Sequence, residues 1–443
     1  MHSVLVCPKR GSSCLGKTQI RTLTRLRLDY FNTGIELSSV IIFGLNNTGL
    51  LAIFQHPLLV TQYYLFQPTF NEMATADVQS QASALHSIPP TQTAIIASQA
   101  GDFEISSTVP VPQPESDEVL IKTKAVGLNP VDTKLVGEFV TAGCIFGFDC
   151  SGIVVAVGSK VTNLKVGDRV CGSASGMNKL KPLGGAFAHY VTLPGDMAIK
   201  IPPTMSMEQA AALGTAIASA CMSMFWSLGM DSALLTDNSG AKDASGKVTK
   251  VLVYGGSTCT GTMTIQLLRL CGFHVLTTCS PRNFDLVRQF GAHETFDYKT
   301  PDCAAKIRAH CENSLEIAID CVSEDSTMKF CYEAIGRAGG QYTALNPFNY
   351  QLATRRVIEP DWILATRITG GASTWPAPYA SDPEPRLREL AVPIFAEIQR
   401  LLLEGKIQPH PVRAEGGGYE GLIKGVDLIR KGGLSGQKLV YSL

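Results

Sequence analysis

The stretch KVLVYGGSTCTGTMTIQLLRLCGFHVLTTCSPRNFDLVRQFG, residues 250–291, decides the fold. It begins with a Val-rich apolar run too short for a helix and passes through a turn of small residues. Apolar positions at helical spacing follow, then a second short run, HVLTT, and a second helical segment. Apolar strands joined by crossover helices specify a parallel, doubly wound sheet. Downstream, ETFDY, LEIAIDCVS and GQYTALNP repeat the strand signal, with helical stretches between them.

The turn after the first strand reads Gly255, Gly256, Ser257, Thr258, Cys259, Thr260, Gly261. Small residues at the start of a helix let a pyrophosphate approach backbone N–H groups where the helix dipole favours negative charge. The literal G-x-G-x-x-G pattern does not occur. Its third glycine survives as Gly261, and the hydroxyls of Ser257, Thr258 and Thr260 offer donors that glycines lack. The second strand ends at Ser280, Pro281, Arg282 and Asn283. An acid there would bind the ribose 2′-hydroxyl of NAD, whereas Ser and Arg suit a 2′-phosphate, so the cofactor reads as NADPH. The plainer alternatives are an ordinary strand-helix turn and, for Arg282, a solvated residue at a helix start.

Upstream, TAIIAS, EVLIKTKAVGL, SGIVVAVGS, DRVCG and AFAHYVTL are short strands separated by Gly, Pro and Asp. They predict a partly open antiparallel β-barrel. Ser206 and Gln209 form an S-x-x-Q capping box ahead of a long apolar helix, AAALGTAIASACMSMFWSLG. A polar stretch over 230–250 reads as a loop. Near the end, EIQRLLLEGKI and QKLVYSL return to helix and strand. The expected organisation is a barrel domain over 73–218, completed by 373–443, around a nucleotide-binding domain over 219–372.

The chain has 443 residues and carries 38 basic against 38 acidic side chains, so no global field favours nucleic acid or an anionic membrane. Its 13 cysteines include no C-x-x-C and several sit in apolar runs, which reads as buried thiols in a reducing compartment, here the cytoplasm. Residues 1–72 differ from the rest. They have a basic head and then an uncharged apolar stretch that Asn46, Asn47, Gln55, His56, Pro57 and Gln62 interrupt. A presequence or an anchor would share these features. The preferred reading is translated upstream sequence outside the fold, with the functional chain starting at Met73 and no membrane involved.

The segments GLNPVDTKLVG (127–137), GFDCSGIVVAVGSKV (147–161), LKVGDRVCG (164–172) and GGAFAHYV (184–191) resemble the medium-chain dehydrogenase/reductase superfamily. That superfamily joins a GroES-like barrel to a Rossmann domain. SPRNFDL (280–286) and STWPAPY (373–379) are similar to the fungal trans-acting enoyl reductases that serve iterative polyketide synthases. Zinc-dependent members carry a Cys where this chain has Asn129, and Gly-His-Glu where it has Gly147, Phe148 and Asp149. With two ligands lost and the other histidines dispersed, no catalytic zinc is expected.

The resemblance implies NADPH-dependent reduction of an α,β-unsaturated thioester presented by a carrier domain of a polyketide synthase or of a hybrid synthase with a peptide module. It places cofactor contacts on Val131, Asp132, Thr133 and Lys134, on Ser257, Thr258, Cys259 and Thr260, on Ser280, Pro281, Arg282 and Asn283, and on Tyr298. Leu345, Asn346, Leu434 and Ser435 would close around the nicotinamide. Lys134 and Ser219 are the candidate catalytic groups, against plainer roles as a surface lysine and a helical serine bonded to a preceding carbonyl. The acyl chain would pass Ala220, Cys221, Met222, Ser223, Met224, Phe225, Trp226 and Ser227, and Thr366, Arg367, Ile368, Thr369 and Gly370. Several of these are equally explained as core, and an aromatic loop at Trp375–Tyr379 as packing. Two other functions share the fold: a free-standing quinone or enone reductase and a non-catalytic NADPH-binding protein.

Overall fold

Strand Lys250–Tyr254 lies at the centre of a six-stranded sheet, with Val251, Leu252 and Val253 wholly inaccessible to solvent. The computed structural model describes the full chain over 88–237, 240–242 and 246–443, and the backbone of 39–45, 49–55 and 62–66. From edge to edge the sheet runs Glu294–Phe296, His274–Thr278, Lys250–Tyr254, Ile317–Asp320, Gly340–Ala344, Ile358–Trp362. Every neighbouring pair is parallel. In chain order this is 3-2-1-4-5-6, so the strand order reverses between Lys250–Tyr254 and Ile317–Asp320, where α/β sheets bind ligands at the carboxyl ends of the strands. Helix Cys259–Leu270 crosses between the first two strands and buries Met263, Ile265, Leu267 and Leu268.

The barrel is built on Glu118–Gly127, which pairs antiparallel with Asp149–Val157, Tyr190–Pro194 and Lys438–Ser442. Arg169–Ser173 extends the sheet beyond Asp149–Val157, and Thr91–Ala97 pairs with Phe103–Pro110. Val412–Glu415 and Lys438–Ser442 form a parallel pair, so the C-terminal strand-helix-strand unit returns to the barrel sheet. Helix Pro385–Leu403 instead packs Leu387, Ile394 and Ile398 into the core shared by the long apolar helix and the central strands. The described cysteines are free thiols, all buried except the half-buried Cys259.

The long apolar segment begins as expected. Ser206 Oγ accepts from Gln209 N at 3.1 Å, and Gln209 Oε1 accepts from Ser206 N at 3.0 Å. It is not one uniform helix: α-helix Gly214–Cys221 continues into a wider π-helical segment, Met222–Ser227. Met207–Ser227 is long and apolar enough to cross a membrane, yet its most apolar window is 83% buried within the protein. The expectation for residues 1–72 lies mostly outside the described residues. Within them, Ser39–Leu45, Gly49–Gln55 and Gln62–Phe66 form a three-stranded antiparallel sheet.

Candidate active site

The glycine turn has the shape of a phosphate cradle. Gly255 adopts φ +77°, and a Cβ there would lie 2.7 Å from Val322 Cγ2. A Cβ on Gly256 would lie 1.9 Å from Thr277 Oγ1, and one on Gly261 2.4 Å from the Gly255 carbonyl oxygen. These positions admit only glycine, and they hold the helix start against the strand end as a bound pyrophosphate requires. Thr258 caps the helix by accepting from Gly261 N at 2.9 Å, leaving Ser257 and Thr260 as half-buried neighbours. Cys259 faces the other way. Its thiol donates to the Ala212 carbonyl at 3.2 Å, and burial pushes its pKa up to about 11, so it is a packing group rather than a contact for an anion.

At the end of the second strand, Ser280 is half-buried and Pro281 and Arg282 are exposed. The Arg282 guanidinium has no hydrogen bond or ion pair with another described residue. Asn283 is buried, and its Nδ2 donates to Ser435 Oγ at 3.0 Å. The structure therefore brings Ser435 to the turn at the adenosine end, although the resemblance grouped Leu434 and Ser435 with the nicotinamide. Leu434 packs against the barrel core. Tyr298, just past the third strand, is 37% exposed, with its ring 6.1 Å from that of Tyr254.

Lys134 comes from the barrel. It ends the 3₁₀ turn Pro130–Thr133, and its side chain is exposed and makes no hydrogen bond with a described residue. Partial burial of the ammonium lowers its pKa, and the charge of Glu324 opposes that shift. Glu324 caps the helix that follows Ile317–Asp320, so the Lys134 ammonium lies within electrostatic reach of a helix start at the strand-order reversal. The neighbouring Ser323 Oγ accepts from Leu345 N at 2.7 Å, which holds Leu345 and the half-buried Asn346 at the same end of the sheet. Of the other residues on the Lys134 turn, Val131 and Thr133 are half-buried, and Thr133 Oγ1 donates to the Pro130 carbonyl at 2.7 Å. Asp132 is wholly buried, accepts from Asn129 N at 2.7 Å and shapes the turn rather than reaching a ligand. Burial pushes its pKa up to about 8.

Beneath this turn lies a group that sequence reasoning missed. Lys438, 4% exposed, donates from Nζ to Asn129 Oδ1 at 2.8 Å and to Asp149 Oδ2. Asn129 Nδ2 donates to Asp149 Oδ2 at 2.9 Å, and Asp149 Oδ1 accepts from Thr215 N and Oγ1 at 2.6 and 2.7 Å. Burial works against the Lys438 charge, but its neighbours, Asp149 foremost among them, together more than offset it, and the pKa lies above its ordinary value. The positions where zinc-dependent members carry Cys and Glu thus hold an amide and a carboxylate committed to each other and to an ammonium. Phe148 supplies no donor and packs edge-on against Trp375, with centroids 6.1 Å apart. This donor set does not fit a catalytic zinc ion. Trp375 also donates from Nε1 to the Met177 carbonyl at 3.1 Å and meets Phe139 and Tyr379, and Tyr379 meets Trp362. The aromatic loop is a wall joining the barrel to the edge of the parallel sheet.

Ser219 is 5% exposed and makes no side-chain hydrogen bond with a described residue, so the back-bond to a preceding carbonyl is not formed. The acyl segments divide. Ala220, Cys221, Met222, Met224 and Phe225 belong to the core, and Ser223 is wholly buried with an unpartnered hydroxyl. They face inward because the apolar helix is packed nearly all round, which leaves only the exposed Trp226 and the half-buried Ser227 near the surface. Ser227 Oγ donates to Thr343 Oγ1 at 2.8 Å. Thr366, Ile368 and Thr369, from the 3₁₀ turn Ala365–Thr369, line a small cavity with Ala218, the neighbour of Ser219. Gly370 ends that turn at φ +78°.

This barrel, parallel sheet and glycine turn define a medium-chain dehydrogenase/reductase, an oxidoreductase class that uses a nicotinamide cofactor. Residues 115–203 match the alcohol dehydrogenase GroES-like domain family and residues 259–344 the zinc-binding dehydrogenase family. Among solved structures, a putative zinc-dependent alcohol dehydrogenase from Rhizobium etli aligns with a TM-score of 0.66 at 22% identity, covering 80% of this chain and 99% of that one. The CurK enoyl reductase aligns with a TM-score of 0.59 at 16% identity, covering 80% and 98%. Both likenesses show the fold. The trans-enoyl reductase buaC of Petromyces alliaceus is 57% identical over 357 residues, 80% of this chain and 98% of that protein. The lovastatin nonaketide synthase enoyl reductase component lovC of Aspergillus terreus is 42% identical over 355 residues, 80% and 97%. The chain belongs to the trans-enoyl reductase family.

Proposed function

We propose that the protein reduces the α,β-double bond of an acyl thioester carried by a polyketide synthase or hybrid synthase, using NADPH and working in trans in the cytoplasm. The observation that carries this reading is the glycine cradle at the end of the central strand, where the strand order reverses, together with Lys134, which has no partner among the described residues and lies within electrostatic reach of Glu324 at the same end of the sheet. The cofactor, when bound, supplies a hydride for the β-carbon of the alkene. As that bond forms, negative charge moves to the thioester oxygen. Lys134 meets this charge with a full positive charge in a partly desolvated crevice, where such an interaction is stronger than in water. Its lowered pKa also suits it to release a proton toward the α-carbon, completing the saturated thioester. Ser219 offers a free hydroxyl to orient the thioester.

Arg282, Ser280 and Asn283 hold the adenosine end, with Tyr298 offering a partly exposed ring face and Asn346 and Leu345 bordering the nicotinamide. A guanidinium with no partner among the described residues, at the end of the second strand, is the group a 2′-phosphate requires. Arg282→Ala is therefore expected to weaken NADPH binding by about 10- to 100-fold while changing NADH binding much less, in line with the 1.5–3 kcal/mol typical of a hydrogen bond to a charged group. Fluorescence titration with both cofactors checks this, and equal losses would remove the 2′-phosphate from the account. The function itself is tested by NADPH consumption with a 2-enoyl thioester beside a simple quinone. Faster turnover of the thioester supports the proposal, and turnover of the quinone alone favours a free-standing reductase.

A further inference from the structure

We propose that Arg367 and Thr374 form a phosphate site that grips the pantetheine arm of the incoming thioester, an inference that rests on the enoyl reductase reading above. Both residues line a cleft of about 240 Å³ between the barrel and the segment leading to Trp375. Arg367 Nε and Thr374 Oγ1 are buried there and have no hydrogen-bond partner among the described residues. Buried donors without acceptors are rare in folded proteins because they forgo their hydrogen bonds to water, so two of them on one cleft mark a place where a ligand supplies the acceptors.

The charges around them support an anion. The acids that share the cleft already have partners: Lys181 pairs with Glu115 at 3.0 Å and Glu118 at 2.7 Å, and Arg388 pairs with Asp117 at 2.8 Å. Glu384, within electrostatic reach of Arg367, is held by both arms of Arg386 at 2.9 and 2.8 Å. Arg367 is thus the cation in this cleft that no described acid pairs directly. A guanidinium beside a hydroxyl matches the several acceptor oxygens of a phosphate.

The position also fits. Thr366 and Thr369 line both this cleft and the smaller cavity that reaches Ala218, one residue from Ser219. A flexible arm anchored by its phosphate at Arg367 would carry its thioester inward along these residues. The same phosphate is found on a carrier-bound arm and in coenzyme A.

The test compares crotonyl thioesters of pantetheine, 4′-phosphopantetheine and coenzyme A. The wild-type enzyme is expected to show a higher kcat/KM, through a lower KM, for the phosphorylated arm than for pantetheine. Arg367→Ala should reduce that preference at least fivefold, Thr374→Val should reduce it less, and Arg367→Lys should keep part of it. NADPH titration establishes that each variant is folded, and Arg367→Lys with Thr374→Val carries the test if Arg367→Ala is not. Coenzyme A matching phosphopantetheine supports a site that reads phosphate alone, and a poorer coenzyme A ester supports one shaped for the carrier arm. Equal losses on pantetheine and phosphopantetheine, or no wild-type preference, would overturn the phosphate site while leaving the reductase in place. If the wild type reduces none of the three, the enoyl reductase reading fails and the site falls with it.

Discussion

Replacing Lys438 by Met is expected to lower folding stability by about 3–5 kcal/mol, the cost of leaving a buried charge without its partner. Asp149 is wholly inaccessible, and Lys438 supplies the cation facing it. Thr215 and Asn129 would continue to donate to the carboxylate, but dipoles do not neutralise a charge in a low-dielectric interior. The surroundings were built around the ammonium stem. A Cβ on Gly127 would lie 2.8 Å from Lys438 Cε and 2.4 Å from the Ala211 carbonyl oxygen. Chemical denaturation measures the effect, and the added change Asp149→Asn should recover part of the loss by removing the stranded charge. A loss below about 1 kcal/mol would show that the pair is not the electrostatic lock described here.

Lys134→Ala is expected to lower kcat for enoyl reduction at least tenfold, with a smaller change in KM, since its ammonium is asked to stabilise charge that appears only as the hydride transfers. Losing one preorganised donor at a developing oxyanion typically costs a factor of about 10²–10³. Lys134 forms no ion pair with a described residue that its removal would break, so thermal stability should change little by comparison. Steady-state kinetics on a crotonyl thioester separates these effects. An unchanged kcat would remove Lys134 from the chemistry and leave it a surface residue beside Glu324.

The parallel sheet could be read from residues 250–347 because its central strand and its two neighbours are almost wholly buried and built on Val, Leu and Ile cores. The edge strand Ile358–Trp362, IEPDW, could not be: it carries two acids and a proline, features that an edge tolerates and a central strand does not. Val412–Glu415 was hidden for the same reason, with two of its four residues exposed. In the site, the glycine turn and Arg282 stood out because local spacing or charge type marks them, whereas Lys134 was singled out only by the family resemblance of its turn. Lys438 did not stand out, since its partners Asn129 and Asp149 are 309 and 289 residues away in the chain and only the closed barrel unites them. Asp132 and Cys259 looked like ligand contacts by position in a motif, yet their side chains turn inward to cap a turn and to meet Ala212. A motif fixes where the backbone goes more firmly than where each side chain points.

The most direct measurement uses NADPH carrying deuterium at the transferable position of C4, a crotonyl thioester and protein exhaustively treated with a chelator. The expected product is a saturated thioester with deuterium at the β-carbon and solvent hydrogen at the α-carbon, formed at an undiminished rate after chelation. A product without cofactor deuterium, or activity that vanishes on chelation and returns with zinc, would contradict it.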